Sequence, residues 1–415
     1  MTKPTLRPSL SLDDRDERTC HTRWPSIPTT TTQYTTVKPS YCGLRNFPKP
    51  MALKQPPSAS PNASSNNNNQ PSSRHRNHLI SRLRSRRASS LRAVKAERRL
   101  DLQARFVESL VHRPRFVKGG DRSALQRFRH YQALEMIGEG TGGKVYLLQH
   151  AQDKRSRLAV KVYFKAGAAT TEPALQVACV KGVEMMRNEH RILSSVPPHK
   201  HLIKLYDGLE TLETVSLFME LAPKGDLFEL LVRTGPLKEA EACLFFTQLL
   251  SVVEHLHRHG YVHRDIKPEN LLLRNRHRLM LTDFGSAAAW SPHFLHTQRV
   301  GSLEYAAPEV LAEHATYVGP EVDMWSCGAV LYTMLKGMTP FGGYCVDEIL
   351  ANIQRRKLDL EGLSVEVQHL LLSLLEPCKE KRATMEEVWV HPWVLRYGAA
   401  AAQQRGPSRG RSDSW

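Results

Sequence analysis

Two short stretches decide the fold and the chemistry of this chain. They read His263-Arg264-Asp265-Ile266-Lys267-Pro268-Glu269-Asn270 and, a strand later, Asp283-Phe284-Gly285. Between them lie two apolar runs, 271–273 and 279–281, separated by a polar turn. Two short apolar runs around a polar turn predict a β-hairpin. Such a hairpin would bring Asn270 and Asp283 close together.

The predicted hairpin places oxygen ligands beside a second carboxylate. Asn270 offers a neutral oxygen and Asp283 a charged one, which suits a Mg²⁺ ion that keeps waters and takes phosphate oxygens. Asp265 is then free to accept or orient the proton of an attacking hydroxyl, while Lys267 can neutralise charge on the transferred group. Either motif alone would indicate only a turn. Together, in this order and at this separation, they indicate phosphoryl transfer.

A second set of residues lies upstream. The stretch Ile137-Gly138-Glu139-Gly140-Thr141-Gly142-Gly143-Lys144-Val145 is rich in glycine, which lets backbone amides approach phosphates closely. A strand, and not a helix, is predicted to follow, which argues against a dinucleotide-binding fold. In the apolar run 158–163, Lys161 would point into the interior and needs a partner there. Glu189, in the helical stretch 185–193, is the predicted partner.

These motifs, taken together and in this order, resemble those of eukaryotic-type protein kinases. The resemblance implies an α+β fold of two lobes over 131–394, with a small β-rich amino-terminal lobe that carries one main helix and a larger helical carboxyl-terminal lobe. A lysine two residues after the aspartate, here Lys267 after Asp265, is a feature in which the chain resembles the serine/threonine kinases and not the tyrosine kinases. The stretches 322–328 and 389–393 look most like the calmodulin-dependent and checkpoint kinase group.

The resemblance also implies roles for individual residues, with ATP and Mg²⁺ as cofactors. Asp265 and Lys267 are the implied catalytic residues, and Asn270 and Asp283 the implied metal ligands. Met219 is the implied gatekeeper behind the adenine. The implied nucleotide-binding set is Ile137, Gly138, Glu139, Gly140, Thr141, Gly142, Gly143, Lys144, Val145, Ala159, Lys161, Glu189, Met219, Glu220, Ala222 and Leu272.

Three further contacts are implied around the catalytic loop. Asp323 resembles the aspartate that bonds the loop backbone, which is a structural role. Ser302 keeps a hydroxyl that can bond Asp265 and Lys267. Glu309 should form an ion pair at the base of the carboxyl-terminal lobe, with Arg382.

Substrate choice and regulation follow from the same resemblance, which implies protein substrates with serine or threonine acceptors. Asp226 and Glu269 fall where related kinases meet an arginine upstream of the acceptor, whereas Thr333 replaces the glutamate of strongly diarginine-selective relatives. We therefore expect a preference for one upstream arginine. Thr297 and Ser291 are candidate sites for an upstream activating kinase.

The amino-terminal region, 1–120, is rich in Ser, Thr, Pro, Asn and Arg and is expected to be disordered, although apolar residues at helical spacing allow a helix over 90–112. The basic residues within 74–99 are compatible with a nucleic-acid or nuclear-import patch, an anionic membrane or calmodulin-like partner, or a solvated arm. Ser89 follows a basic run and is a candidate phosphorylation site. The tail over 395–415 is expected to be disordered as well.

Composition restricts the compartment. The chain has 415 residues and a formal net charge of +17, and its seven cysteines are widely spaced without a Cys-x-x-Cys pair. An odd, scattered set indicates neither a disulfide framework nor a zinc site and favours a reducing environment. No signal-peptide pattern or long apolar run is present, so an intracellular location, cytoplasmic or nuclear, is expected.

Two alternatives to an active kinase are weighed against it. A pseudokinase scaffold would lack at least one of five residues that the chain retains, namely Lys161, Glu189, Asp265, Asn270 and Asp283. A basic arm acting mainly as a nucleic-acid binder would show steeply salt-dependent affinity, but the arm lacks interleaved aromatic residues.

Overall fold

The computed structural model describes residues 123–140, 143–165 and 173–403. The arm that the sequence predicts to be disordered, 1–120, lies outside these residues together with its helix over 90–112. No helix in these three stretches is both long and apolar enough to cross a membrane.

The amino-terminal lobe is built on a five-stranded antiparallel sheet of order β1-β2-β3-β5-β4. Its strands are β1 (Tyr131–Gly140), β2 (Gly143–His150), β3 (Arg157–Phe164), β4 (Leu205–Glu210) and β5 (Thr214–Met219). Because successive strand residues face opposite sides, Val160 is buried on one face while Lys161 lies on the other. A short helix, α1 (Ser123–Phe128), contributes Phe128 to the first face, where it stacks on Phe218 with ring centroids 4.1 Å apart.

One long helix, α2 (Pro173–Ser195), accompanies this sheet and packs against β3, β4 and β5. Its residues Met186 and Ile192 are fully buried. The helical pattern over 185–193 predicts this helix but not the residue at which it starts. The structure begins the helix at Pro173, a residue suited to the first helical position because it has no N–H to satisfy.

The carboxyl-terminal lobe is helical. Its helices are α3 (Leu227–Thr234), α4 (Glu239–Arg258), α5 (Pro308–Leu311), α6 (Pro320–Lys336), α7 (Val346–Gln354), α8 (Val365–Leu374), α9 (Met385–Trp389) and α10 (Pro392–Gln403). Helix α4 has an apolar stripe that faces the core, since Phe245, Leu249, Val253 and Leu256 are fully buried. Burial of each such side chain stabilises the fold by about 1.5–3 kcal/mol. The interior of α6 is buried on all sides, so it is the central helix of the lobe.

The predicted hairpin is present between the motifs at 263–270 and 283–285. Strand β7 (Leu271–Asn275) pairs antiparallel with β8 (Arg278–Leu281), and Leu271 lies opposite Leu281. Two shorter strands, β6 (Tyr261–Val262) and β9 (Ala288–Ala289), pair on the other side of the motifs. The catalytic-loop motif and Asp283 therefore lie between two paired strand sets, which fixes their backbones.

The base of the lobe is closed by the predicted ion pair. The Arg382 guanidinium donates to both oxygens of Glu309, over 2.6 and 2.9 Å, and lies 5.0 Å from the centroid of the Trp325 ring. The Arg382 side chain is 1% exposed, so the pairing is needed to compensate a buried charge.

The carboxyl-terminal end differs from expectation. The sequence predicts disorder from 395, but α10 continues to Gln403. A run of alanines over 399–402 explains the difference, because alanine has the highest helix propensity and prolongs a helix that tertiary packing has already started. Residues 404–415 lie outside the described part.

Candidate active site

Asp265 lies at the centre of a hydrogen-bonded cluster in the loop before β7. Its carboxylate accepts one hydrogen bond of 2.9 Å from the Lys267 ammonium and another of 2.9 Å from the Ser302 hydroxyl. Lys267 also donates to Ser302 Oγ over 2.7 Å, so the contacts predicted for Ser302 are present. A carboxylate placed in this way can accept or orient the proton of a nearby hydroxyl, and the ammonium can neutralise developing negative charge.

Gly301 allows the segment that carries Ser302 to come this close. Its φ of +90° lies in the left-handed region that side chains disfavour, and a Cβ there would lie 2.5 Å from the Arg264 carbonyl oxygen. Ser302 therefore reaches Asp265 because the preceding residue has no side chain.

Asp323 anchors the catalytic loop from below. Its fully buried carboxylate accepts hydrogen bonds from the backbone amides of His263 (2.9 Å) and Arg264 (2.8 Å) and lies 2.9 Å from His257 Nε2. These bonds hold Arg264 at a φ of +63°, a strained value for a residue with a side chain. Burial alone would raise the pKa of Asp323, but the contacts with His257 and His263 outweigh it and hold this pKa below its ordinary value.

We expect the Asp323→Asn variant to be less stable than the wild type by about 1–3 kcal/mol at pH 7, and the difference to shrink in acid. A carboxyl whose folded pKa is depressed stabilises the fold above its unfolded pKa, about 3.9 for aspartate, and this contribution is lost as the pH falls through the folded pKa. Urea unfolding at pH 7 and at pH 3.5 measures the difference. Asp153→Asn, in an exposed loop, is the control; a difference that widens in acid would contradict this account.

Lys161 connects the two lobes of the site electrostatically. Its ammonium lies 2.6 Å from Glu189 Oε2 on α2 and 2.9 Å from Asp283 Oδ1, so the predicted pair with Glu189 is present. Burial by itself would lower the pKa of Lys161, but the two carboxylates raise it above its ordinary value. Burial raises the pKa of Glu189, and the ammonium opposes that rise. Glu189 Oε1 also accepts the Phe284 amide over 3.3 Å, which links α2 to the turn after Asp283.

Asp283 and Asn270 are the candidate cation ligands. Burial would raise the pKa of Asp283, but Lys161 holds it below its ordinary value, so the carboxylate is ionised. The Thr282 amide donates to the Asn270 carbonyl over 3.0 Å, and Asn270 Nδ2 donates to the Asp265 carbonyl over 2.8 Å, which leaves the Asn270 amide oxygen for a cation.

This donor set fits magnesium. The three described stretches hold no group of three or more His, Cys, Asp or Glu side chains arranged to bind a metal. Mg²⁺ is commonly bound by one or two protein oxygens together with waters and substrate phosphates, so Asp283 and Asn270 are sufficient as a protein contribution.

Most of the residues predicted to hold a nucleotide lie along β1, β2, β3 and the end of β5, while Glu189 lies on α2 and Leu272 in β7. Gly138 pairs with Val145 and Gly140 with Gly143, while Thr141 and Gly142 lie outside the described residues. Gly143 has a φ of +116°, and a Cβ there would lie 2.4 Å from a backbone oxygen of β3, so this position requires glycine. Gly143 therefore allows the start of β2 to lie this close to β3.

Other residues of the predicted nucleotide-binding set lie on β3, at the end of β5 and on β7. Ala159 is opposite Met219 in the β3–β5 register, and both are buried. The amide of Glu220 donates to the Lys204 carbonyl over 2.9 Å, so among its backbone groups the carbonyl is left for a ligand. Leu272 lies in β7, on the carboxyl-terminal side of the site.

In the segment after Asp283, Arg264 contacts neutral side chains and no phosphorylation site. Arg264 Nη1 lies 3.4 Å from His296 Nδ1 and 3.4 Å from the Tyr317 hydroxyl, and His296 stacks on Tyr317 with centroids 5.5 Å apart. Burial and the Arg264 guanidinium lower the pKa of His296, so its ring is neutral at pH 7. The candidate phosphorylation sites Thr297 and Ser291 are both exposed.

Three functional contacts escaped prediction from the sequence. His257 bonds Asp323, His296 contacts Arg264, and Asn188 bonds the turn after Asp283. A partner for Asp323 could have been sought, because a buried carboxylate needs donors. His296 and Asn188 belong to no motif, and only the tertiary fold brings them to their partners.

Comparison with known proteins gives a concordant result. The model of the protein kinase domain family matches residues 131–394, which is well over half of the chain. The chain therefore belongs to the protein kinase family.

Three relatives that the chain resembles are protein kinases by name. A sucrose non-fermenting protein kinase 1 of Fusarium virguliforme is 36% identical over 65% of this chain and 37% of the relative. A carbon catabolite-derepressing protein kinase of Candida tropicalis is 36% identical over 64% of this chain and 41% of its own length. A probable serine/threonine-protein kinase MARK-A of Dictyostelium discoideum is 34% identical over 64% and 24%.

These matches set the extent of the likeness. The chain spans less than half the length of each of these three relatives. None of the three carries the name of a calmodulin-dependent or checkpoint kinase, so the broader resemblance, to serine/threonine protein kinases, is the one that is shown.

Proposed function

We propose that this chain transfers the γ-phosphate of ATP, with Mg²⁺, to serine and threonine hydroxyls of protein substrates. The observation that carries the proposal is the pairing of two clusters. Asp265, Lys267 and Ser302 form one cluster, and Asp283, Lys161 and Glu189 form the other. Asn270 joins them, because its side chain bonds Asp265 and its backbone carbonyl accepts the amide of Thr282, the residue before Asp283.

Each residue has a task that its surroundings support. Lys161, fully charged and held by two carboxylates, would bind the nucleotide phosphates. Asp283 and Asn270 would hold Mg²⁺, which when bound neutralises phosphate charge. Asp265 would orient the acceptor hydroxyl and accept its proton, and Lys267 would stabilise charge on the transferred group.

The adenine would lie between the two lobes. Val145 and Ala159 on the sheet and Leu272 on β7 provide apolar surfaces for its two faces, with Met219 behind it. The backbone carbonyl of Glu220 and the backbone of Ala222 would bond its polar edge, as the resemblance implies.

Substrate selection is proposed to involve one arginine upstream of the acceptor. Glu269 lies in the short 3₁₀ turn of the catalytic loop. Asp226 caps α3, where its side chain accepts the Glu229 amide over 2.7 Å, and it is 7% exposed. This cap occupies one of its carboxylate oxygens, and Asp226 and Glu269 together are the carboxylates proposed to meet the arginine. Thr333 is buried and bonded to the Ala329 carbonyl, which offers no carboxylate for a second arginine.

A positional peptide library tests the acceptor and the arginine preference together. Phosphate should appear on serine and threonine peptides, and not on tyrosine peptides, with enrichment of a single arginine upstream. Matched peptides with alanine at the acceptor are the control. Selection for acidic residues or for a following proline would contradict the proposed specificity, and transfer to tyrosine alone would contradict the proposed class.

The finer assignments are proposals of the same kind. The stretches around Trp325 and Trp393 support a place near the calmodulin-dependent and checkpoint kinases. An upstream kinase acting on Thr297 or Ser291 remains part of the proposal. Binding of nucleic acid or anionic membrane by 74–99, and phosphorylation of Ser89, concern residues outside the described part of the chain.

An intracellular location is also proposed, in the cytoplasm or nucleus. It is supported by four free cysteines within the described stretches, at 243, 327, 345 and 378. Free thiols persist in the reducing environment of the cell interior.

A further inference from the structure

The backbone turn that follows Asp283 is held by side chains from outside it. Asn188 Nδ2, on α2, lies within hydrogen-bond distance of three carbonyl oxygens of the turn, those of Phe284 (3.2 Å), Gly285 (3.3 Å) and Ala287 (2.8 Å). Arg264 Nε donates to the remaining carbonyl, that of Ser286, over 2.8 Å. Four successive carbonyl groups are thus bonded by two side chains.

The orientation of the Asn188 amide is fixed independently of the turn. Arg191, one turn further along α2, donates to Asn188 Oδ1 over 2.7 Å. An amide offers one accepting oxygen and one donating nitrogen, so this bond places the N–H groups toward the turn. The amide nitrogen has two hydrogens for these three carbonyl oxygens, so at least two of the carbonyls share one hydrogen.

The turn has a conformation that needs such support. Asp283 has φ 66° and ψ 72°, a left-handed conformation that costs free energy in any residue with a side chain. Such residues persist when their surroundings over-determine the backbone. The turn also packs tightly on α2, because a Cβ on Gly285 would lie 2.9 Å from Met185 Cε.

We propose that Asn188 is a positioning residue for the phosphoryl transfer proposed above: by bonding the carbonyls of 284, 285 and 287 it holds the Asp283 carboxylate in place for Mg²⁺. Glu189, its neighbour on α2, reaches the same turn through the Phe284 amide at 3.3 Å. Two consecutive residues of one helix therefore bind the donor and acceptor sides of the turn. Movement of α2 away from the sheet would release both at once.

Hydrogen–deuterium exchange of the full-length chain without nucleotide tests this directly. Asn188→Asp keeps the shape of the side chain but presents carboxylate oxygens to carbonyl oxygens, and Asn188→Ala removes the donor without adding charge. Both should raise exchange of the amides from 284 to 288 by about three- to tenfold, with the larger effect in Asn188→Asp. Arg191→Ala, which removes the partner of Oδ1 but keeps the N–H donors, is the matched control and should give a smaller increase.

A second readout separates positioning from simple packing. The Mg²⁺ concentration for half-maximal transfer should rise several-fold in both Asn188 variants, while the KM for the peptide stays at the wild-type value. Unchanged exchange over 284–288 in a folded Asn188→Ala protein would overturn the proposal, as would raised exchange with an unchanged Mg²⁺ requirement. If Asn188→Asp does not fold, Asn188→Ala decides. Hydrogen exchange is measured without phosphate transfer. An inactive wild type would therefore contradict the proposed function, while the exchange experiment would still test whether Asn188 holds the turn.

Discussion

Replacing Asp265 by asparagine is expected to lower kcat for phosphate transfer by about 10²- to 10⁴-fold, the usual contribution of general acid–base catalysis. The amide can still accept one hydrogen bond from Lys267 or Ser302, so the loop should keep its conformation, but it cannot accept a proton. The measurement is kcat with a serine peptide at saturating ATP and Mg²⁺.

Thermal unfolding and ATP affinity are the controls for this variant. Both should stay close to the wild-type values, because Asp323 and not Asp265 anchors the backbone of the loop. A kcat within a few-fold of the wild type would show that another residue orients the acceptor. Loss of folding would show that the Asp265 contacts are mainly structural.

Lys161→Met is the second change with a large expected effect. It removes the ammonium and leaves Glu189, which is fully buried, without its ionic partner. Breaking a buried pair in this way costs about 3–5 kcal/mol of stability. Transfer should also be lost, since the phosphates lose their cation. Chemical unfolding and the transfer assay measure the two effects separately.

The pH dependence of the Lys161→Met protein has a definite sign. With the ammonium gone, burial and the neighbouring Asp283 carboxylate both raise the pKa of Glu189, and only the Phe284 amide opposes them, so this pKa in the folded state is raised further above the unfolded value, about 4.3. A carboxyl with a raised folded pKa is compatible with the fold below the unfolded pKa and destabilises it as the pH rises through the folded pKa. The stability deficit against wild type should therefore be larger at pH 8 than at pH 5.

The double variant Lys161→Met with Glu189→Gln is the matched control. It removes the buried charge, so it should recover most of the lost stability and show little pH dependence, yet remain inactive. A single variant whose deficit is the same at pH 5 and pH 8 would contradict the ionised pair.

Contacts between residues of two recognisable motifs could be predicted from the sequence. Lys161 lies in an apolar strand, and a buried ammonium requires a carboxylate, so Glu189 could be proposed from chemistry and resemblance together. The contacts of Ser302 and the pair of Glu309 with Arg382 were predicted in the same way. The β7–β8 hairpin was predictable because its alternation of apolar and turn residues is local.

Contacts made by residues outside any motif were not predictable. Asn188 and His296 meet their partners across about a hundred residues of chain or through an irregular segment, and neither has a periodicity or spacing that indicates its role. The end of α10 was misjudged for a different reason. Gly398 and the Gly/Ser/Arg-rich tail suggested disorder, whereas packing of Trp393 against Phe246 starts a helix that the following alanines extend.

The central claim is that Asp265 and Asp283 serve one phosphoryl transfer, and the most direct test is transfer of label from γ-labelled ATP to a serine peptide by the full-length chain. ATP labelled in the α-phosphate is the matched control, and magnesium is withdrawn with a chelator and then restored. We expect label on serine from the γ-position only, with loss on chelation and recovery with Mg²⁺. Saturable ATP binding without any transfer, even after treatment with candidate upstream kinases, would contradict the account and favour a scaffold.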